Sequence, residues 1–196
     1  MVSAVIALCL IPISTILFAG SENWFSTNFS VLGNMVGRQG NLVTWGVLVG
    51  GYFFWTLRQI ILQIPSAVRW AWMIPFDLLL LFLAVTTPYL PDQLPFQAYL
   101  HFIFAFFSAI ILIIILIVIC CYLYGADKRN FRLFLWELGG IIAVSFCLLL
   151  HAGFVTSALE IFFTISCSFF VFHLHRTVIS HVSSSPEAHE RNQKAS

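Results

Sequence analysis

The stretch YLHFIFAFFSAIILIIILIVICCYLY, residues Tyr99–Tyr124, is the longest apolar run of the sequence and indicates the fold class. It contains no Asp, Glu, Lys or Arg, and its single histidine, His101, lies close to its first residue. A helix of about 20 predominantly apolar residues is long enough to cross the hydrocarbon core of a bilayer. The stretch therefore predicts a transmembrane helix.

Similar apolar runs lie on both sides of this stretch, and the chain as a whole is 60% hydrophobic and 9% charged. Soluble domains carry roughly a quarter of charged residues, so the composition indicates an integral membrane protein. The runs predict an all-α fold, a polytopic transmembrane helical bundle whose six spans are Val2–Ala19, Leu42–Ile64, Trp70–Tyr89, Tyr99–Tyr124, Leu133–His151 and Ala158–His175.

The first run ends at Ala19-Gly20-Ser21, as a signal peptide would, but no basic residue precedes its apolar core. We therefore expect an uncleaved helix and a single transmembrane domain over residues 1–176. Residues 177–196 include Ser183-Ser184-Ser185-Pro186 and then a polar stretch without apolar periodicity. They predict a disordered cytoplasmic tail.

The orientation follows from the basic residues, because lysine and arginine accumulate in cytoplasmic loops. Six spans bring both termini to one side, and eight of the nine basic residues then share that side, with Arg38 alone opposite: Arg58, Arg69, Lys128, Arg129, Arg132, Arg176, Arg191 and Lys194. The pattern predicts a multi-pass protein of the cell membrane with cytoplasmic N and C termini. The net charge of +1 and the scattered basic residues argue against a nucleic-acid partner.

The candidate site lies at the extracytoplasmic ends of the predicted spans and in the connection Ser21–Gly40. Imidazole and carboxyl groups from different helices at one depth can serve as general acids and bases or as metal ligands. The candidate catalytic residues are His101, His151, Asp92 and Glu160, and the candidate ligands of a zinc ion are His101 and His151. The candidate ligand-binding residues are Glu22, Asn28, Ser30 and Arg38.

Two interpretations of these residues stay open. Each histidine either belongs to a functional centre or simply forms a hydrogen bond to a neighbouring carboxylate or backbone carbonyl. No local zinc signature such as H-E-x-x-H occurs. Asp77 is a separate case, because an ionised carboxylate is costly near the middle of a span. It either accepts a hydrogen bond from a Ser, Thr or Tyr or takes part in a proton or cation relay.

Three short elements resemble the poorly characterised six-span integral membrane family related to the FRAG/DRAM/Sfk group. They are Ser26–Gly33 with its Ser30-Val31-Leu32-Gly33, Pro88 followed by His101, and Glu160-Ile161. Glu22-Asn23-Trp24-Phe25-Ser26-Thr27-Asn28 is more distantly similar to the first element of alkaline-ceramidase-like membrane hydrolases, which implies zinc chemistry on a lipid. The chain departs from those hydrolases in having six predicted spans rather than seven and no His-x-x-x-His in its last run.

These observations predict an integral membrane protein whose extracytoplasmic polar site binds a lipid or lipid-like molecule. The alternatives are a metal-dependent membrane hydrolase acting on a lipid and a non-catalytic accessory subunit. The expected partners are membrane lipid and either further copies of the chain or a larger membrane complex.

Overall fold

A computed structural model of the chain describes residues 2–35 and 37–183. Every regular element within these ranges is helical. The elements are α1 (Val2–Val5), a π-helical turn (Ile6–Leu10), α2 (Ile11–Ala19), α3 (Phe29–Asn34), α4 (Gln39–Leu62), a 3-10 turn (Val68–Trp70), α5 (Met73–Thr86), α6 (Pro95–Ala126), α7 (Lys128–Ala152) and α8 (Ser157–Ser183).

Five helical segments of the described chain are long and apolar enough to cross a membrane. They are Val2–Ala19, Val68–Thr86, Pro95–Ala126, Lys128–Ala152 and Ser157–His181. The all-α, multi-pass architecture is therefore confirmed. The predicted run Leu42–Ile64 is also helical, as α4, but its composition does not reach that of the other five. Six crossings are thus not shown.

Helix α4 packs against α2, α3, α5 and α8, while its other face exposes Val47 and Trp55. Tyr52, Leu57 and Ile60 of this helix are almost fully buried. They share one apolar core with side chains such as Leu116 of α6 and Phe170 of α8. By contrast, many large apolar side chains on the outside of the bundle are exposed, as expected for a surface that contacts lipid.

Two glycines let α4 and α5 approach closely. A Cβ atom on Gly46 would lie 2.7 Å from Val85 Cγ1, and one on Gly50 would lie 2.8 Å from Leu78 Cδ1. Small residues at a helix interface permit this kind of backbone contact in membrane proteins. By contrast, a Cβ on Gly139 or Gly140 of α7 would have no neighbour within 4 Å.

A single residue, Asp127, separates α6 from α7. Its backbone is extended, and its side chain caps α7 by accepting hydrogen bonds from the N–H groups of Asn130 and Arg129. These bonds, led by that from Asn130, lower the pKa of the Asp127 carboxyl. The one-residue connection makes α6 and α7 antiparallel neighbours, which pack against each other.

The last helix is longer than predicted. Helix α8 continues through Ser183, so residues 177–183 are helical and the expected tail does not begin at Thr177. The remainder of that predicted tail, residues 184–196, lies outside the described residues. Apolar contacts explain part of the extension, because Val178 is buried in the same core as Phe131 of α7.

Gly46→Ala should destabilise the bundle, because the new methyl group must displace the stiff, buried Val85 side chain. Overpacking of this kind costs about 1–3 kcal/mol, against a gain in helix propensity of at most about 1 kcal/mol. Gly51→Ala is the matched control, because its Cβ would enter open space. Thermal unfolding of the purified protein in detergent should show a lower Tm for Gly46→Ala and an equal or higher Tm for Gly51→Ala. Equal effects at both positions would contradict the close contact of α4 with α5.

Candidate functional site

The connection between α2 and α4 builds one wall of the site through the short helix α3. Asn28 precedes this helix in an extended conformation, and its Oδ1 accepts a hydrogen bond from the Val31 N–H at 2.9 Å. Asn is among the preferred residues at such a helix start, since its side chain satisfies an otherwise free backbone donor. Phe29 then anchors α3, packing edge-on against Phe18 and Trp45 with ring centroids 5.0 and 5.1 Å apart.

The same connection is bonded to the beginning of α8. The N–H groups of Ser157 and Ala158 donate to the carbonyls of Thr27 at 2.7 Å and Trp24 at 2.9 Å. In the other direction, the Phe29 N–H donates to Glu160 Oε2 at 2.6 Å. The first N–H groups of a helix have no partner within it, so these bonds complete α8 and hold α3 in place. The connection therefore has a structural role, because it is hydrogen-bonded to the beginning of α8.

Ser30 and His101 form the shortest side-chain contact of the site. Ser30 Oγ lies 2.6 Å from His101 Nε2, and His101 Nδ1 lies 2.9 Å from the carbonyl oxygen of Thr87. A carbonyl can only accept a hydrogen bond, so Nδ1 carries a proton, and in the neutral imidazole Nε2 then accepts from the Ser30 hydroxyl. His101 is 3% exposed, and Tyr89 packs against its ring at 5.4 Å between centroids.

These residues open onto an elongated cavity of about 470 Å³. Asn28, Ser30, His101 and Glu160 all line it, and we call these four residues the polar end of the cavity. Along α6 the lining continues from His101 to Ile114. A rise of 1.5 Å per residue makes that wall about 20 Å long. Most of the remaining wall is aliphatic or aromatic, with contributions from α4, α5, α7 and α8.

A second group of polar side chains lines the cavity farther along α6. Ser108 Oγ donates to Asp77 Oδ1 at 2.9 Å, and Asp77 is 8% exposed. The predicted hydrogen bond from a hydroxyl to Asp77 is thus confirmed, while a relay role stays a prediction. Ser145 of α7 also lines the cavity, and its buried Oγ has no hydrogen-bond partner within the described residues.

Half of the predicted site residues lie elsewhere. Glu22 and Asp92 are exposed in connections, and His151 is exposed near the end of α7. None of the three lines the cavity. Arg38 is also outside it, with its guanidinium 5.3 Å above the Phe18 ring and 3.4 Å from the Leu17 carbonyl. The structure therefore joins Asn28 and Ser30 to His101 and Glu160 but leaves out the other four.

The predicted zinc ligands do not meet. His151 does not share the cavity with His101, and the described part of the chain contains no group of three or more His, Cys, Asp or Glu side chains suited to a metal ion. Zinc is held in proteins by three or four such ligands. The described residues therefore do not support zinc binding by His101 and His151, while the metal-dependent hydrolase stays a prediction.

Three members of the site were missed from sequence. The Thr87 carbonyl is a backbone group, and no residue pattern identifies it as the partner of His101. Ser108 did carry a signal, because it follows His101 by two helical turns and so lies on the same face of α6. Ser145 carried none, since its importance depends on which face of α7 meets the cavity.

Comparisons with family models, curated proteins and solved structures found no match to this chain. The resemblances based on short motifs stay predictions. The residues and the cavity are the basis for the proposals that follow.

Replacing Glu160 with Leu should destabilise the protein, because the buried Phe29 N–H would lose its acceptor. An unsatisfied buried donor costs about 1–3 kcal/mol. Glu160→Gln keeps an acceptor oxygen and should lose less, while Glu22→Gln changes an exposed residue and should be neutral. Thermal unfolding in detergent ranks the three variants. Equal stability of Glu160→Leu and Glu22→Gln would contradict the role of Glu160 in holding α3.

Proposed function

We propose that this membrane protein binds one lipid or lipid-like molecule in the cavity. Four polar residues stand at one end of a long, mainly apolar enclosure, and that observation carries the proposal. The asymmetry matches a molecule with a polar head group and an apolar chain. Binding sites for small molecules usually enclose about 300–1,000 Å³ and combine apolar walls with few polar groups; the volume of 470 Å³ lies within this range.

The polar end suits a neutral or hydrogen-bonding head group. Its side chains offer the Asn28 amide, the Ser30 hydroxyl, the His101 imidazole and the Glu160 carboxyl. Among the described residues no Lys or Arg lines the cavity, so a phosphate would lack the charged donors that usually bind it. The second polar group at Asp77, Ser108 and Ser145 would contact a polar substituent farther along the same molecule.

In the proposed topology the chain crosses the cell membrane six times, because α4 crosses in addition to the five segments named above. The polar end of the cavity lies on the extracytoplasmic side. Helix α4 spans 24 residues, or about 36 Å at 1.5 Å per residue, which exceeds the ~30 Å hydrocarbon thickness. Through Gly46 and Gly50, α4 also packs closely against α5, which belongs to a segment long and apolar enough to cross a membrane. The basic residues favour cytoplasmic termini.

Single cysteines in a chain whose five native cysteines are replaced would test this topology. Glu22→Cys precedes α4 and Ser66→Cys follows it, and both positions are exposed. We expect a membrane-impermeant maleimide to label Glu22→Cys in intact cells and Ser66→Cys only after permeabilisation. Gln93→Cys, after α5, should behave like Glu22→Cys. Labelling of Glu22→Cys and Ser66→Cys from the same side would show that α4 does not cross.

Lipid carried through purification would test the binding proposal. Ala109 lines the cavity, so Ala109→Phe should fill part of it and reduce the amount of lipid extracted per protein. Ala143→Phe is the matched control, because Ala143 is exposed on α7 and does not line the cavity. Mass spectrometry of the extracts gives the molar ratio. An unchanged ratio in Ala109→Phe, with both variants folded, would overturn the proposal.

A further inference from the structure

The bond between Ser30 and His101 differs from the other serine contacts in the cavity. Ser108 donates to a carboxyl oxygen and Ser145 has no partner in the described chain, whereas Ser30 donates to an imidazole nitrogen. That nitrogen can take up the hydroxyl proton, and a second hydrogen bond at Nδ1 orients the ring. A hydroxyl within about 2.6–3.2 Å of a base that a third group orients is the usual arrangement of an activated nucleophile. Here the third group is the Thr87 carbonyl, which holds the proton on Nδ1.

We propose that Ser30 is a nucleophile, that His101 is its general base, and that the pair accepts the acyl group of an ester-linked lipid held in the cavity. The inference rests on the proposed lipid binding and adds a reaction to it. The proposed reaction uses these side chains as nucleophile and base and needs no metal ligand. Ser30 and His101 touch the substrate in this scheme and are catalytic residues, whereas Thr87 is a positioning residue.

The chemistry of the polar end favours an ester carbonyl as the target. An ester carbonyl is neutral and electrophilic, and a fatty acyl chain attached to it would extend along the apolar wall formed by α6. A phosphate ester would bring negative charge to a cavity whose lining, within the part of the chain that the structure describes, holds no Lys or Arg but includes Asp77 and Glu160. Acyl transfer is therefore favoured over phosphoryl transfer.

The reaction proceeds in two balanced steps. Ser30 Oγ attacks the ester carbonyl carbon while its proton passes to His101 Nε2. The bond from that carbon to the alkoxy oxygen then breaks, and the departing oxygen takes the proton from His101. This step leaves an acyl-Ser30 ester and a free alcohol. A water molecule then attacks the acyl carbon, gives a proton to His101, and releases a fatty acid as the Ser30 oxygen recovers that proton.

Asn28 is the candidate donor to the negative oxygen that forms during each attack. It lines the cavity two residues before Ser30. Its Nδ2 donates to the Val155 carbonyl at 3.4 Å, and the second hydrogen of this amide has no partner among the residues described. A fixed amide donor within reach of a developing oxyanion would stabilise it.

A fluorophosphonate probe with a long alkyl chain would test the proposal on the full chain in detergent. The probe forms a stable bond to activated serines, and peptide mass spectrometry locates the label. We expect stoichiometric labelling at Ser30 in the folded protein and none after heat denaturation. Ser30→Ala should abolish the label. Unmodified Ser30 in the folded wild-type protein, or equal labelling after denaturation, would overturn the proposal without any need for a variant.

Two further variants separate a base from a simple hydrogen-bond partner. General-base assistance contributes about 100-fold or more to the rate, so His101→Gln should slow labelling at Ser30 by at least about that factor. Ser14→Ala, which removes a hydroxyl that does not line the cavity, should label at the wild-type rate. An unchanged rate in His101→Gln would show that the imidazole is structural only.

The outcome for lipid binding is distinguishable from the outcome for catalysis. Lipid retained by the wild-type protein and lost in Ala109→Phe tests binding, whereas labelling at Ser30 tests catalysis. If wild-type protein retains lipid yet Ser30 resists the probe, the cavity is a binding site and the acyl-transfer proposal fails alone. If neither lipid nor label is found, both proposals fail.

Discussion

The structure depends on one constraint, which is that backbone donors at the ends of apolar helices need partners within the protein. Hydrocarbon offers no hydrogen bonds, and each unsatisfied group there costs several kcal/mol. Helix α8 meets this constraint at its beginning through the carbonyls of Trp24 and Thr27. The bonds that complete α8 also fix the connection before α4. Because α3 belongs to that connection, the position of Ser30 opposite His101 follows from the need to cap another helix.

Close packing provides the second condition for the site. Gly46 and Gly50 draw α4 against α5, and α5 in turn packs beside α6. The contact brings the Thr87 carbonyl, just after α5, to the imidazole of His101. Nearer the other end of α5, Asp77 meets Ser108. A buried polar group costs free energy unless it is hydrogen-bonded, and the pairings at both depths satisfy that requirement while leaving the cavity between the helices.

The candidate site was predictable in part because ionisable and amide residues are scarce in this chain. Their positions near span ends drew attention to His101 and Glu160, and the polar residues of the connection Ser21–Gly40 drew attention to Asn28 and Ser30. The predicted depth in the membrane could not show which of the residues at that depth lie close together. His151 lies near an end of its helix, as His101 does. Its side chain is exposed on α7, however, and does not line the cavity. Glu22 and Asp92 lie in connections whose paths depend on tertiary contacts rather than on residue pattern.

The length and composition of the apolar runs were enough to predict a helical, multi-pass protein. In a membrane, few other structures give every backbone N–H and C=O group a hydrogen-bond partner. The sequence also determined the hydroxyl, imidazole and carboxyl groups from which a site is made. Only the tertiary structure decided which of these groups meet. Ser30 and His101 are separated by 71 positions in the chain, and their contact arises from helix capping and glycine-mediated packing, which no local pattern encodes.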